Sequence, residues 1–175
     1  MAKPQIRPLA PGDRRLLDDF CYLAIHVPAG QPPLPKDVIY TEPGIRHYFE
    51  GFGSKPGDIG VAAWSGDQAV GMAWTRLLGG DDPGYGHLDD NTPELSMAVL
   101  PEWRGQGVGT RLIGSLLPAV AAAGYRQVSL SVQKDNPAIH LYQRAGFTTA
   151  RLGDADLVMV VQLPIEIGRQ PVGQA

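Results

Sequence analysis

Cysteine is nearly missing from this sequence. Cys21 is the only one in 175 residues, so no intramolecular disulfide framework can form, and such usage fits a reducing compartment. Cys21 lies among Leu17, Phe20 and Leu23 in a predicted helix, where a free cysteine packs as a small apolar side chain rather than acting as a nucleophile. Long hydrophobic runs are lacking as well, and the N-terminal Met-Ala-Lys-Pro-Gln-Ile-Arg-Pro has no signal core. A soluble, cytoplasmic protein with no membrane partner is the expectation.

An excess of either charge is also wanting. Fifteen Lys and Arg against eighteen Asp and Glu leave a net charge of −3 with no basic run, which argues against a nucleic-acid or membrane surface. The four histidines, His26, His47, His87 and His140, are scattered without ligand spacing, so no metal centre is predicted. The length suits one domain, taken as residues 1–163, with a flexible tail over 164–175.

Glycine, in contrast, is plentiful, and its densest cluster organises the chain. Leu95, Met97 and Val99 alternate with Glu94, Ser96 and Ala98, the period of a half-buried strand. Pro101 ends that strand. Val108, Leu112, Ile113, Leu116, Leu117 and Val120 then recur at helical spacing. Between them lie Gly105, Gly107 and Gly109, flanked by Arg104 and Arg111. A helix start offers unpaired N–H groups and the positive end of the dipole, so this turn reads as a cradle for a phosphate or diphosphate. It is not a dinucleotide fingerprint: counting from Gly105, Thr110 stands where the third glycine belongs, and the acidic residue expected about 20 positions on is missing. No Gly-Lys-Ser/Thr occurs either, which excludes a Walker loop.

Around this centre the chain reads in order as a strand at 6–9, a helix from about Asp13 to Ile25, and a proline-rich loop at 26–38. A second helix is predicted over Pro43–Phe52, then a hairpin of 58–64 and 68–78 and a loop over 79–92. The central helix should end at Gly124, with a kink or break at Pro118. A strand at 127–133 follows. Next comes a helix capped by Asn136, with Pro137 at its first position and Gly146 after its last, and then strands at 148–152 and 157–163.

Arg104-x-x-Gly107-x-Gly109, directly after a strand ending Ala98-Val99, resembles the acyl-coenzyme A signature of the GNAT superfamily, the GCN5-related N-acetyltransferases. Asn136-Pro137-Ala138-Ile139-His140-Leu141-Tyr142-Gln143-Arg144-Ala145-Gly146-Phe147 resembles a second family segment, with the Ala–Tyr–Gly rhythm intact and Ala138 shifted toward Asn136. The element order from residue 6 to 163 is the family's order. The resemblance implies an α+β (three-layer) fold, with a mixed, mostly antiparallel sheet of about seven strands and about four helices. It implies acetyl-CoA as cosubstrate and a primary amine of a small molecule or peptide as acceptor, and it leaves room for a homodimer. Loop amides of Gly105, Gln106, Gly107, Val108 and Gly109 would take the phosphates, with Arg104 and Thr110 close by. Met97, Ala98 and Val99 would line the pantetheine arm where two strands open a V, Asn136 would contact that arm, and Tyr142 would lie near the thioester sulfur.

A phenol of pKa ~10 can protonate a departing thiolate, so Tyr142 is the candidate acid. Glu94 is the candidate base. It sits five positions before Val99 where many members have six, and a one-residue slip turns a strand side chain to the other face. Trp74, Arg76, Tyr85 and His87, with Tyr40 and Tyr48, are candidates to line the acceptor pocket, and Asp81, Asp82, Asp89 and Asp90 could draw in a cation. Two alternatives stand beside the transferase: an acyl-CoA-binding regulatory domain without turnover, and a transferase using another acyl donor.

Overall fold

The computed structural model describes residues 3–164; the expected tail lies, beyond Pro164, outside the described residues. Seven strands form one sheet in the order β1-β2-β3-β4-β5-β7-β6. They are β1 (Gln5–Pro8), β2 (Ile59–Ser65), β3 (Gln68–Arg76), β4 (Glu94–Val99), β5 (Gln127–Gln133), β6 (Thr148–Leu152) and β7 (Asp156–Gln162). Every neighbouring pair is antiparallel except β4 and β5.

The sheet is covered on both faces. On one, α4 (Val108–Ala122) and α5 (Ala138–Arg144) pack against Val61, Ala73, Leu95, Leu130 and Met159. On the other lie α1 (Leu17–Ala24), α2 (Val38–Thr41) and α3 (Pro43–Arg46), over Ala62, Met72, Trp74 and Ala98. Alternation along β3 explains the division, since Ala73 enters one core and Met72 and Trp74 the other. A strand buried on both faces reads as the near-continuous apolar run seen at 69–74.

The central helix α4 buries Val108, Leu112, Ile113, Leu116 and Val120 on one stripe. Its end is a Schellman motif: Gly124, at φ 95°, donates to Ala121 O, and Tyr125 donates to Val120 O. The break expected at Pro118 does not occur, and the helix runs through it. Pro118 and Gly114 are both exposed, so the Gly114 carbonyl that loses its partner faces water. Both line a shallow groove of about 400 Å3 between α4 and the β1–β2 edge.

The second helix is shorter than its sequence suggests. Instead of Pro43–Phe52 it spans Pro43–Arg46, and the chain continues to Phe52 as turns. Tertiary partners account for this. The carbonyls of His47 and Glu50 accept hydrogen bonds from Arg76 Nη1, that of Tyr48 accepts from Trp74 Nε1, and Gly51 and Gly53 lie at positive φ. The helical turn α2 falls at the edge of the stretch expected to be irregular.

Candidate active site

The site begins as a defect in the sheet. β4 and β5 run parallel, yet among the described residues they pair at one position, Glu94 opposite Ser129, where Ser129 N donates to Pro93 O at 3.0 Å. Beyond it the strands part. Leu100 N donates to Val70 O on β3, so strand alternation turns the N–H groups of Met97 and Val99 toward the gap. The carbonyl of Val99 is met by Arg104 Nε at 3.0 Å. Ala98 is oriented differently: its amide faces β3 and its buried side chain enters the α1 layer. The sequence grouped it with Met97 and Val99, and the two-residue period separates it from them.

The helix α4 opens at the wide end of this V. Gly107 is its N-cap and carries no side-chain cap. The first intrahelical bond described there is Arg111 N to Gly107 O, which leaves the first-turn amides of Val108, Gly109 and Thr110 free to meet an anion. The three glycines do different things. Gly105 (φ 71°) and Gly107 (φ 76°) adopt left-handed conformations that disfavour a side chain, with open space on their Cβ side. At Gly109 a Cβ would come within 2.9 Å of Leu141 Cδ2 and 3.5 Å of Met97 Cε, so this glycine lets α5 close onto α4 and β4. Buried Trp103 anchors the turn, and Gln106 Nε2 donates to Glu102 O.

Before α5, Asn136 Oδ1 accepts at 2.9 Å from the N–H of Ala138, the first helical residue. The N-cap position itself falls on Pro137, one residue later than the sequence suggested. Tyr142 is buried, with its ring edge-on to Phe147 at 5.8 Å. Burial pushes its hydroxyl up to about 12, so it stays a proton donor through the neutral range.

The other side of the V is built from distant segments. Glu94 is 3% exposed and shares its face with Ser96 and Ala98, on the side of α1. Tyr48 Oη donates to Glu94 Oε1 at 2.5 Å, Gly86 N donates to the same oxygen at 2.8 Å, and Tyr85 N donates to Tyr48 Oη at 2.8 Å. Oε2 is buried and has no partner among the described residues. Burial raises the Glu94 carboxyl above its ordinary value against the opposing hydrogen bonds, and it raises Tyr48 too.

Only glycine fits around this carboxyl. A Cβ on Gly84 would collide with Oε2, and one on Gly86 would lie 2.7 Å from the Leu130 carbonyl carbon. Tyr85 stacks on Tyr48 at 6.3 Å and is 59% exposed, at the rim. The pairing of Tyr48 with Glu94 has no sequence signal, since 46 residues separate them; the glycines flanking Tyr85 were the available hint.

Two acceptor-pocket candidates are corrected. Trp74 is fully buried, with Nε1 bound to Tyr48 O. Arg76 is 1% exposed and forms a bidentate pair with Asp58 at 2.9 and 3.1 Å while holding the His47 and Glu50 carbonyls. Both pin the segment after α3 to β3 and neither reaches open space. His87 is anchored, with Nδ1 donating to Leu78 O at 2.7 Å. Exposed Tyr40 bonds Asp18. Three of the four loop aspartates also have protein partners: Asp82 meets His47, Asp90 accepts from Gly80 N, and Asp89 accepts from Asn91 N, Thr92 Oγ1 and Gln127 Nε2.

The model of the acetyltransferase (GNAT) family matches residues 27–147, the stretch that holds the splayed strands, the glycine turn and α5. This chain belongs to the GNAT family. Among solved structures it resembles the PaiA N-acetyltransferase of Thermoplasma acidophilum in complex with coenzyme A, with TM-score 0.62, 16% identity and coverage of 93% of this chain and 99% of that one. It also resembles a GNAT phosphinothricin acetyltransferase of Sinorhizobium meliloti in complex with acetyl-CoA, with TM-score 0.63, 17% identity and coverage of 99% and 95%. These likenesses show the GNAT fold. A mycothiol acetyltransferase of Geodermatophilus obscurus is 34% identical over 87 residues, which are 49% of this chain and 27% of that protein. The chain thus spans about a quarter of the length of that curated relative. No helix among the described residues is long and apolar enough to cross a membrane.

Proposed function

We propose that this GNAT protein transfers acetyl from acetyl-CoA to a primary amine by direct attack in a ternary complex. The observation that carries the reading is the splay of β4 from β5 with the uncapped start of α4 at its wide end. It provides two aligned binding elements: strand amides of Met97 and Val99 for the amide-rich pantetheine arm, and amides of Val108, Gly109 and Thr110 for the pyrophosphate. The coenzyme complexes of the two structural relatives support the same use of the cleft.

In this mechanism the amine attacks the thioester carbonyl held in the V. The ammonium form must first lose a proton, and Glu94, with its raised proton affinity, takes it through water. As the tetrahedral species collapses, Tyr142 donates its proton to the leaving thiolate. The acceptor is a small molecule or a peptide terminus, and acetyl is the first donor to test. Enclosure of Glu94 by Gly84 and Gly86 favours one second reading, an acyl-CoA-binding domain without turnover.

Release of free CoA thiol, measured against amines, polyamines, amino acids, aminoglycosides and short peptides with acetyl-CoA titration alongside, separates the two. Amine-dependent release establishes the transferase. Tight binding with no release across the panel favours the second reading, and an absence of binding removes both.

A further inference from the structure

Glu94 has two oxygens in unlike surroundings. Oε1 receives Tyr48 Oη at 2.5 Å and Gly86 N at 2.8 Å, while Oε2 is buried and unpartnered among the described residues. Tyr48 is itself held, because its oxygen accepts the Tyr85 N–H at 2.8 Å, its backbone carbonyl accepts from Trp74 Nε1, and its ring stacks on Tyr85. With its oxygen serving as acceptor for Tyr85, the hydroxyl proton is directed at Glu94.

We propose that Tyr48 is a positioning residue of the transfer reaction: with the Gly86 N–H it fills the lone pairs of Glu94 Oε1 and leaves Oε2 as the oxygen that receives the acceptor's proton. This rests on the acetyl-transfer reading above. The ammonium N–H bond breaks, a bridging water passes the proton on, and an O–H bond forms at Oε2. The glutamic acid so formed later returns that proton to solvent. Tyr48 keeps its own proton throughout, because burial beside a carboxylate raises its phenol. The other charged groups acting on Glu94 are His87 from the loop before β4 and Arg151 from β6. Tyr85 acts on Tyr48, and Arg76, the register partner of Glu94 on β3, turns its guanidinium to Asp58 and the His47 and Glu50 carbonyls.

The test is the pH dependence of kcat/KM in three proteins. In the wild type an acid limb marks ionisation of Glu94, and Glu94→Gln should erase it. Tyr48→Phe removes a donor that favours the carboxylate, so the limb should move to higher pH by about one unit. Replacing Tyr48 with a fluorinated tyrosine keeps the ring and strengthens the donor, so the limb should move to lower pH. Infrared titration of the carboxyl band that Glu94→Gln removes follows the same shifts in samples without acceptor, and so does not depend on turnover.

Opposite displacements by the two Tyr48 variants support the proposal. A limb that Glu94→Gln erases but neither Tyr48 variant moves overturns the role of Tyr48 and leaves Glu94 as base. A limb that survives Glu94→Gln overturns the base reading, and the proposal with it.

Discussion

The two walls of the cleft are built in opposite ways. The wall proposed to hold the coenzyme is nearly continuous in sequence: β4, the glycine turn and the start of α4 occupy residues 94–111, and the groups it offers are main-chain amides. The wall proposed to face the acceptor gathers Tyr48, Tyr85, Gly86 and Glu94 from separate segments, and what it offers is a side-chain carboxyl enclosed by tertiary contacts. A wall made of backbone depends on local conformation, whereas one made of long-range contacts depends on the segments that bring it together.

The largest expected effect follows from breaking the first wall at one residue. Gly107→Glu places a side chain at φ 76° and a carboxylate where the pyrophosphate is proposed to bind. Calorimetry should show acetyl-CoA affinity falling by about a hundredfold or more while circular dichroism stays native; unchanged affinity would remove the cradle from the site. Tyr142→Phe should lower kcat by about a hundredfold and leave the CoA dissociation constant within about a factor of two. An equal rate in that variant removes Tyr142 from the chemistry.

The second wall breaks from a distance. Arg76→Ala removes the ion-pair partner of buried Asp58, leaving it only the Gly53 and Lys55 N–H groups, and frees the carbonyls of His47 and Glu50. We expect a stability loss of about 3 to 5 kcal/mol in denaturant titration, together with weaker acceptor use at unchanged CoA affinity.

Glu94→Gln sharpens the same wall through pH. The folded carboxyl is raised above its unfolded value. Below the ordinary glutamate range both states hold the proton. As pH rises through that range the unfolded chain ionises first, so the wild type loses stability until the folded carboxyl ionises too. The melting temperature of Glu94→Gln should therefore gain on the wild type across that window and nowhere else. A constant difference would show that the folded Glu94 carboxyl is not raised above its unfolded value. Smallest of all, Gly109→Ala meets the movable side-chain ends of Leu141 and Met97 and gains helix propensity of about 1 kcal/mol, so thermal melts should shift by a few degrees at most, in contrast to Gly107.

This division also explains what the sequence made legible. Strand β4, the glycine turn, α4 and the Gly124 cap carry local signals, namely a period of two, a change to helical period and a left-handed glycine, and they lie where those signals put them. The segment 43–52 has helical spacing too, but its carbonyls are claimed by Trp74 and Arg76, and no local rule foresees that. For the same reason Trp74 and Arg76 look like pocket residues on a strand face until their partners are known. At Pro118, of the kink or break that the local rule predicts, the break is absent, and the carbonyl that loses its partner belongs to an exposed residue.

The parting of β4 from β5 gives a central strand two kinds of amide. Ser96 and Ala98 point at β3, whereas Met97 and Val99 point into the gap. In the absence of acetyl-CoA, deuterium uptake along β4 should alternate residue by residue, fast at 97 and 99 and slow at 96 and 98. Coenzyme should slow the odd pair alone, so that in the middle of the sheet protection from exchange becomes a direct meter of occupancy.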